Sequence, residues 1–109
     1  MSGYNGNGDQ VSPEDVRLMR DLMEENHRLR RECKNLSKMR AALRAEAKAA
    51  SSKADRASIR ARIKELDHAY RERRTIWRGI TSAKIAEKFG VSPSYPSQLA
   101  TYRYRREVT

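Results

Sequence analysis

Leucines stand at positions 22, 29, 36 and 43, one every seven residues. On a helix with about 3.6 residues per turn they form one stripe, and Met19, Asn26, Cys33 and Arg40, each three residues earlier, run beside it. From Glu14 to Ala50 neither Gly nor Pro interrupts the pattern. Ser12 can cap the helix, Pro13 suits its first position, and Glu14 and Asp15 suit the positive end of the helix dipole. The spacing predicts a long helix over 13–50, with the leucines at heptad position d. A lone Asn at position a fixes register between two parallel strands, and Glu25 at g can meet Arg30 at the following e of a second copy. Met19, Leu22, Asn26, Leu29, Cys33, Leu36 and Leu43 are therefore expected to form the seam of a parallel homodimer. The heptad leaves two alternatives open, another oligomer and a helical hairpin within the chain. Arg40 at an a position implies that the seam loosens past Leu36.

Residues 45–58, "AEAKAASSKADRAS", lose the leucines. Ser52 and Asp55 resemble a loose capping box, and 51–58 reads as a partly helical connector. Ile59, Ile63, Leu66, Tyr70 and Trp77 then recur at helical spacing, predicting an amphipathic helix over 56–78 with Trp77 as a core anchor. Gly79 ends it, and Thr81 or Ser82 can cap the next. "SAKIAEKFG" reads as a short helix closed by Gly90 in a left-handed turn, with Ile85, Ala86 and Phe89 inward and Val91 plugging the turn. The opening 1–12, with Gly3, Gly6 and Gly8, is expected to be disordered.

"AKIAEKFGVS" is similar to the first helix and turn of the helix-turn-helix of many bacterial and phage regulators, and "SPSYPSQLA" resembles the start of their recognition helix. The likeness covers about 20 residues and rests on Ile85, Ala86, Gly90, Val91 and Leu99. It implies a three-helix DNA-binding module over 59–109. The chain departs from the pattern at Pro96, where an apolar residue faces the core in that family. A helix starting at Pro93 would place Pro96 against the carbonyl of Ser92, at a cost of up to about 3 kcal/mol. Starting near Pro96 instead leaves the missing N–H at a position that lacks a helical partner anyway. The expectation is a long turn over 90–95 and a helix from about Pro96 to Glu107. Ser97, Gln98, Thr101 and Tyr102 would then face base edges, Gln98 suiting adenine, while Arg74, Arg78, Ser82, Lys84, Arg103, Arg105 and Arg106 would meet phosphate.

Charge strengthens this picture. Of 109 residues 38% are hydrophobic and 35% charged, with a net charge of +10. Residues 1–52 carry +2 and residues 53–109 carry +8, an imbalance that points to a polyanion. No apolar run is long enough for a membrane span, no secretory signal is present, and one Cys permits no internal disulfide, all of which fit a cytoplasmic setting, nucleoid-associated or in a phage host. Cys33, His27 and His68 have no metal-ligand spacing, and no nucleophile–base pair stands out, so no enzyme, metal or cofactor is expected. The expectation is an all-α protein, with a coiled-coil helix over 13–50, a connector over 51–58 and a basic helix-turn-helix module over 59–109. It would act as a dimeric, sequence-specific regulator on double-stranded DNA, without a membrane partner. The alternatives are an RNA-binding or ribosome-associated protein using the interleaved Tyr and Arg of 102–106, and a DNA-anchored packaging or recombination adaptor whose coil binds another protein.

Overall fold

The computed structural model describes residues 11–108, so the expected disorder over 1–12 falls, except for Val11 and Ser12, outside the described residues. Among those residues the protein is all-helical: α1 spans Pro13–Ala49, α2 Lys53–Arg78, α3 Ser82–Phe89 and α4 Tyr95–Ala100. No helix among them is long and apolar enough to cross a membrane. Serine and threonine side chains start three of the helices. Ser12 Oγ accepts from Asp15 N at 3.1 Å, Ser52 Oγ from Asp55 N at 3.1 Å and Thr81 Oγ1 from Lys84 N at 3.3 Å. The expected connector over 51–58 is shorter than predicted, because Ser52 already starts α2 and leaves only residues 50–52 outside the helices.

The helices divide between two compact units whose bounds cut across the expected 13–50 and 59–109 division. One is a hairpin of residues Leu29–Ile76. Its helices run antiparallel, as three cross-links show. Arg73 Nε lies 3.5 Å from Glu32, Cys33 Sγ donates to the Tyr70 carbonyl at 3.8 Å and Arg40 Nη1 donates to Asp67 at 2.7 Å, so one index falls as the other rises. Leu29, Cys33 and Leu43 are buried here, and Leu36 is half-buried. The heptad stripe thus packs within this chain, where pairing with a second copy was expected. The half-buried stripe of Ile59, Ile63, Leu66 and Tyr70 on α2 gives it a complementary surface at a short turn. Arg40, anomalous in a parallel seam, fits here because Asp67 answers its charge.

The other unit joins residues 11–28 to residues 77–108. Its core contains Val16, Met19 and Met23 of α1, Ile85 and Ala86 of α3, Val91 of the turn, Tyr95 and Leu99 of α4, and Val108. The helix that completes this core with α3 and α4 is therefore the start of α1, and not the Trp77 helix expected from the sequence. Leu22 is only half-buried and Leu18 is exposed, since the buried stripe here is Val16, Met19, Met23 and Asn26. Asn26, assigned to an inter-chain pair, donates Nδ2 to the Trp77 carbonyl at 2.9 Å. Glu25, expected to meet Arg30 of another copy, bonds Arg28 one turn away, and that hydrogen bond lowers its pKa.

Arg20 organises this unit. It is 8% exposed, and backbone carbonyls take its donors. Nε donates to Leu99 O at 2.8 Å, Nη2 to Tyr104 O at 3.1 Å and to Arg105 O at 2.8 Å, and Nη1 to Val108 O. The guanidinium also lies 4.0 Å from the centroid of the Tyr102 ring. A planar fork with five donors matches this arrangement, and an ammonium does not.

The Leu99 carbonyl explains why α4 ends at Ala100 and does not reach Glu107. In a continuing helix it would accept from Arg103 N; here it accepts from Arg20 and from Tyr102 N at 3.0 Å, while Arg103 N turns back to Gln98 O at 3.0 Å. Those two backbone bonds form a Schellman motif with Tyr102 at its left-handed position, φ 57°. Glycine is the usual residue there, and a left-handed side chain costs about 1–2 kcal/mol. Stacking by Arg20 offsets that cost. Arg105 is left-handed as well, at φ 56°, and its carbonyl is another of the Arg20 acceptors.

Replacing Arg20 with Ala should lower unfolding free energy by on the order of 3 kcal/mol, because several buried acceptors lose charged donors. Arg20→Lys should recover less than half of that in denaturant melts, and full recovery would show that the fork geometry is not required. In the hairpin, the hydrogen bond from Arg40 holds the Asp67 carboxyl below its ordinary pKa of 3.8; burial opposes this, and the charges of Arg40, Arg44 and Arg71 add to it. A depressed folded-state pKa gives stability that is present above the unfolded value and lost as pH falls through the folded one. Asp67→Asn should therefore flatten the loss of stability below about pH 4, read as the denaturant midpoint at each pH.

Candidate nucleic-acid interface

α3 and α4 are held at a defined turn by local chemistry. Gly90, at φ 66° and ψ 37°, closes α3, and both its N–H and that of Val91 point to the Ala86 carbonyl. Only 1% of Ala86 is exposed, so the small side chain lies where the two helices meet. Tyr95 N bonds Ser92 O at 2.9 Å and Gln98 N bonds Ser94 O at 3.1 Å, so the chain enters α4 through Ser92–Ser94.

Pro96 occupies the second position of α4, where its absent N–H deprives the helix of nothing. Its ring is also among the most completely buried side chains. The residue that looked like a departure from an apolar core position supplies that apolar group itself. The helix begins one residue before the expected start.

With Tyr95, Pro96 and Leu99 facing the core, Ser97 and Thr101 lie exposed on the outward face and Gln98 lies half-buried at its side. These three hydrogen-bonding side chains share one face at i, i+1 and i+4 spacing. Thr101 Oγ1 donates back to the Ser97 and Gln98 carbonyls, at 3.3 and 3.1 Å. Tyr102 departs from the set. It lies beyond the helix end, with one ring face against Arg20.

The expected phosphate contacts separate into two groups. Lys84, Arg78, Arg103 and Arg106 are exposed in the unit that holds α3 and α4, Arg106 Nε reaching the Tyr102 carbonyl at 3.1 Å. Ser82 and Arg105 serve the fold instead. Ser82 Oγ donates to Pro93 O at 2.7 Å and accepts from Ser97 N at 3.3 Å, bracing the start of α3 against the start of α4. Arg105 donates Nε to Glu107 at 2.8 Å and Nη1 to the Val11 carbonyl at 2.6 Å. Its pKa is raised first by Glu107 and then, against the opposing effect of burial, by the Tyr95 hydroxyl. Arg74 belongs to the hairpin, 5.6 Å from the Tyr70 ring centroid.

The folded units also redistribute the charge. The unit holding α3 and α4 has nine Lys/Arg against eight Asp/Glu, and the hairpin has fifteen against six. Almost all of the net +10 therefore sits on the hairpin, which a division of the sequence at residue 52 obscures. Arg20 was missed by sequence reasoning. It follows Met19 with no local signal of its own, and only the positive-φ turn around it reveals its role.

Comparison with family models, with curated proteins and with solved structures returns no match for this chain.

If Ser82 braces the two helices, Ser82→Ala should lower stability by about 1 kcal/mol. An unchanged melting midpoint together with weaker binding to nucleic acid would restore the phosphate role expected from sequence.

Proposed function

We propose that this chain is a sequence-specific duplex-DNA-binding protein in which α3 and α4 act as a helix-turn-helix and α4 reads base edges. The carrying observation is the outward face of Ser97, Gln98 and Thr101, set on a helix whose other face is buried and whose start is pinned by Ser82. Neutral hydrogen-bonding side chains suit base reading, and the near-neutral unit around them adds little indiscriminate attraction. Lys84, Arg103 and Arg106 border the region as phosphate contacts. A bacterial or phage regulator is the setting the resemblance implies.

Asn26, Leu29, Cys33 and Leu43 are buried within one copy, so the reading does not use them for pairing. Each chain brings one α3–α4 pair to DNA. For the RNA reading, Arg20 covers one ring face of Tyr102 while Tyr104 is exposed, so the matched RNA pool is the arm that tests it.

Selection from random duplex DNA, with a matched RNA pool alongside, should enrich a short DNA motif and no RNA motif. Gln98→Ala should remove about 1–3 kcal/mol of discrimination at one base position while leaving affinity for random duplex nearly intact. Equal losses on both would remove Gln98 from base reading, and the failure of any DNA motif to emerge would overturn the proposal.

A further inference from the structure

About half of the hairpin's cations gather on one side. Successive helical residues are rotated by about 100°, so Arg30, Lys34, Arg44 and Lys48 of α1 share a sector of about 80°. Lys53, Arg60, Lys64 and Arg71 of α2 share one of about 40°. All eight side chains are exposed.

Two ion pairs show that both rows lie on the same side. In an antiparallel pair, Arg40–Asp67 marks one flank and Glu32–Arg73 the other. Arg44 is one turn from Arg40, and Lys64 and Arg71 are each one turn from Asp67, so both rows border the Arg40–Asp67 flank. The charges of Arg44 and Arg71 both act on the Asp67 carboxyl, as that placement requires.

The acids lie elsewhere. Glu32, Glu46, Asp55, Glu65 and Glu72 point away from the two rows, Glu46 and Asp55 lining a common shallow pocket near the hairpin turn. The sixth acid, Asp67, is bonded to Arg40. Eight of the hairpin's fifteen Lys/Arg lie in these two rows with no acid among them, whereas Arg31, Arg62 and Arg73 lie off them, on the side of the acids.

We infer that this face of the hairpin is a binding surface for the phosphate backbone of a DNA duplex, independent of base sequence. Each row runs for 18 residues, about 27 Å of helix, enough to follow about eight base steps. The rows ride on two helices packed about 8–10 Å apart, a straight and preorganised array that suits a stiff polyanion. Between and beside the cations stand Ser37, Ala41, Ala57, His68 and Thr75, with His68 ion-paired to Glu72 at 3.1 Å, no Phe, Tyr or Trp for stacking unpaired bases and no large apolar group for entering a bilayer. The choice of DNA over an RNA duplex rests on the reading of α4 given above; the surface itself does not.

The test compares two full-length variants of equal net charge. Lys34→Gln, Lys64→Gln and Arg71→Gln together neutralise the face. Arg31→Gln, Arg62→Gln and Lys88→Gln together neutralise exposed cations off it. On a short random-sequence DNA duplex, titrated between about 50 and 200 mM salt, the face variant should bind at least about tenfold more weakly, and its slope of log affinity against log salt should shrink by about 3. The control variant should keep most of the affinity and slope, and circular dichroism should show both folded. Equal losses in both variants would overturn the inference, reducing the effect to net charge. A face variant that still binds duplex DNA but loses an RNA duplex or phosphatidylserine-containing vesicles would overturn it in favour of that partner. Gln98→Ala, run alongside, tests the other reading separately, since it should alter preference among sequences and leave the salt slope unchanged.

Discussion

One buried guanidinium determines much of the unit that holds α3 and α4. Arg20 takes carbonyls from Leu99, Tyr104, Arg105 and Val108, so a cation near the start of the chain closes a segment at its other end. Placing a charge in an apolar core is costly unless its donors are answered, and here backbone carbonyls answer them. The oxygens come from a helix end and two left-handed turns, where carbonyls have lost their helical donors. The C-terminal end of α4 also carries the negative pole of its dipole. The arginine and the irregular backbone therefore require each other.

The neighbouring hairpin is built on a different principle. Its stability comes from an apolar stripe on each helix, with ion pairs at the flanks that are exposed enough to contribute modestly. Positive charge concentrates here and not beside α4. The two readings proposed above divide accordingly, with neutral groups placed to discriminate between bases and cations placed to hold phosphate. On those readings sequence discrimination and electrostatic affinity would belong to different units of one chain and respond to different substitutions.

Starts of helices were legible because their signals are local. Ser12, Ser52, Thr81 and Gly90 each perform the capping role their residue type suggests. Pro96 was legible in the same way, since its constraint acts on its own turn. The end of α4 was not, because the Schellman motif uses Tyr102 in place of glycine and depends on an arginine 82 positions earlier in the sequence. The leucine heptad identified the face of α1 that is buried between Leu29 and Leu43 but carries no information about what covers it, since α2 of the same chain satisfies the same spacing. Before Leu29 the buried face turns toward Val16 and Met23, and neither residue belongs to the leucine stripe. For the candidate site, the outward trio of α4 followed from placing Pro96 correctly. Ser82 and Arg105 were misplaced because a polar side chain near a turn reads the same whether it faces solvent or bonds backbone.

The clasp between Arg20 and residues 99–108 bears on how the chain comes together. The hairpin is a local structure, its helices joined by residues 50–52, and can form as soon as its own sequence is available. The other unit must close a loop of about eighty residues first, a slow step for reasons of entropy. During synthesis Val16, Met19 and Met23 stay without their final cover until residues 99–108 have left the ribosome. Removal of Val108 takes away an acceptor of Arg20, so this unit is completed only when residues 99–108 are all present.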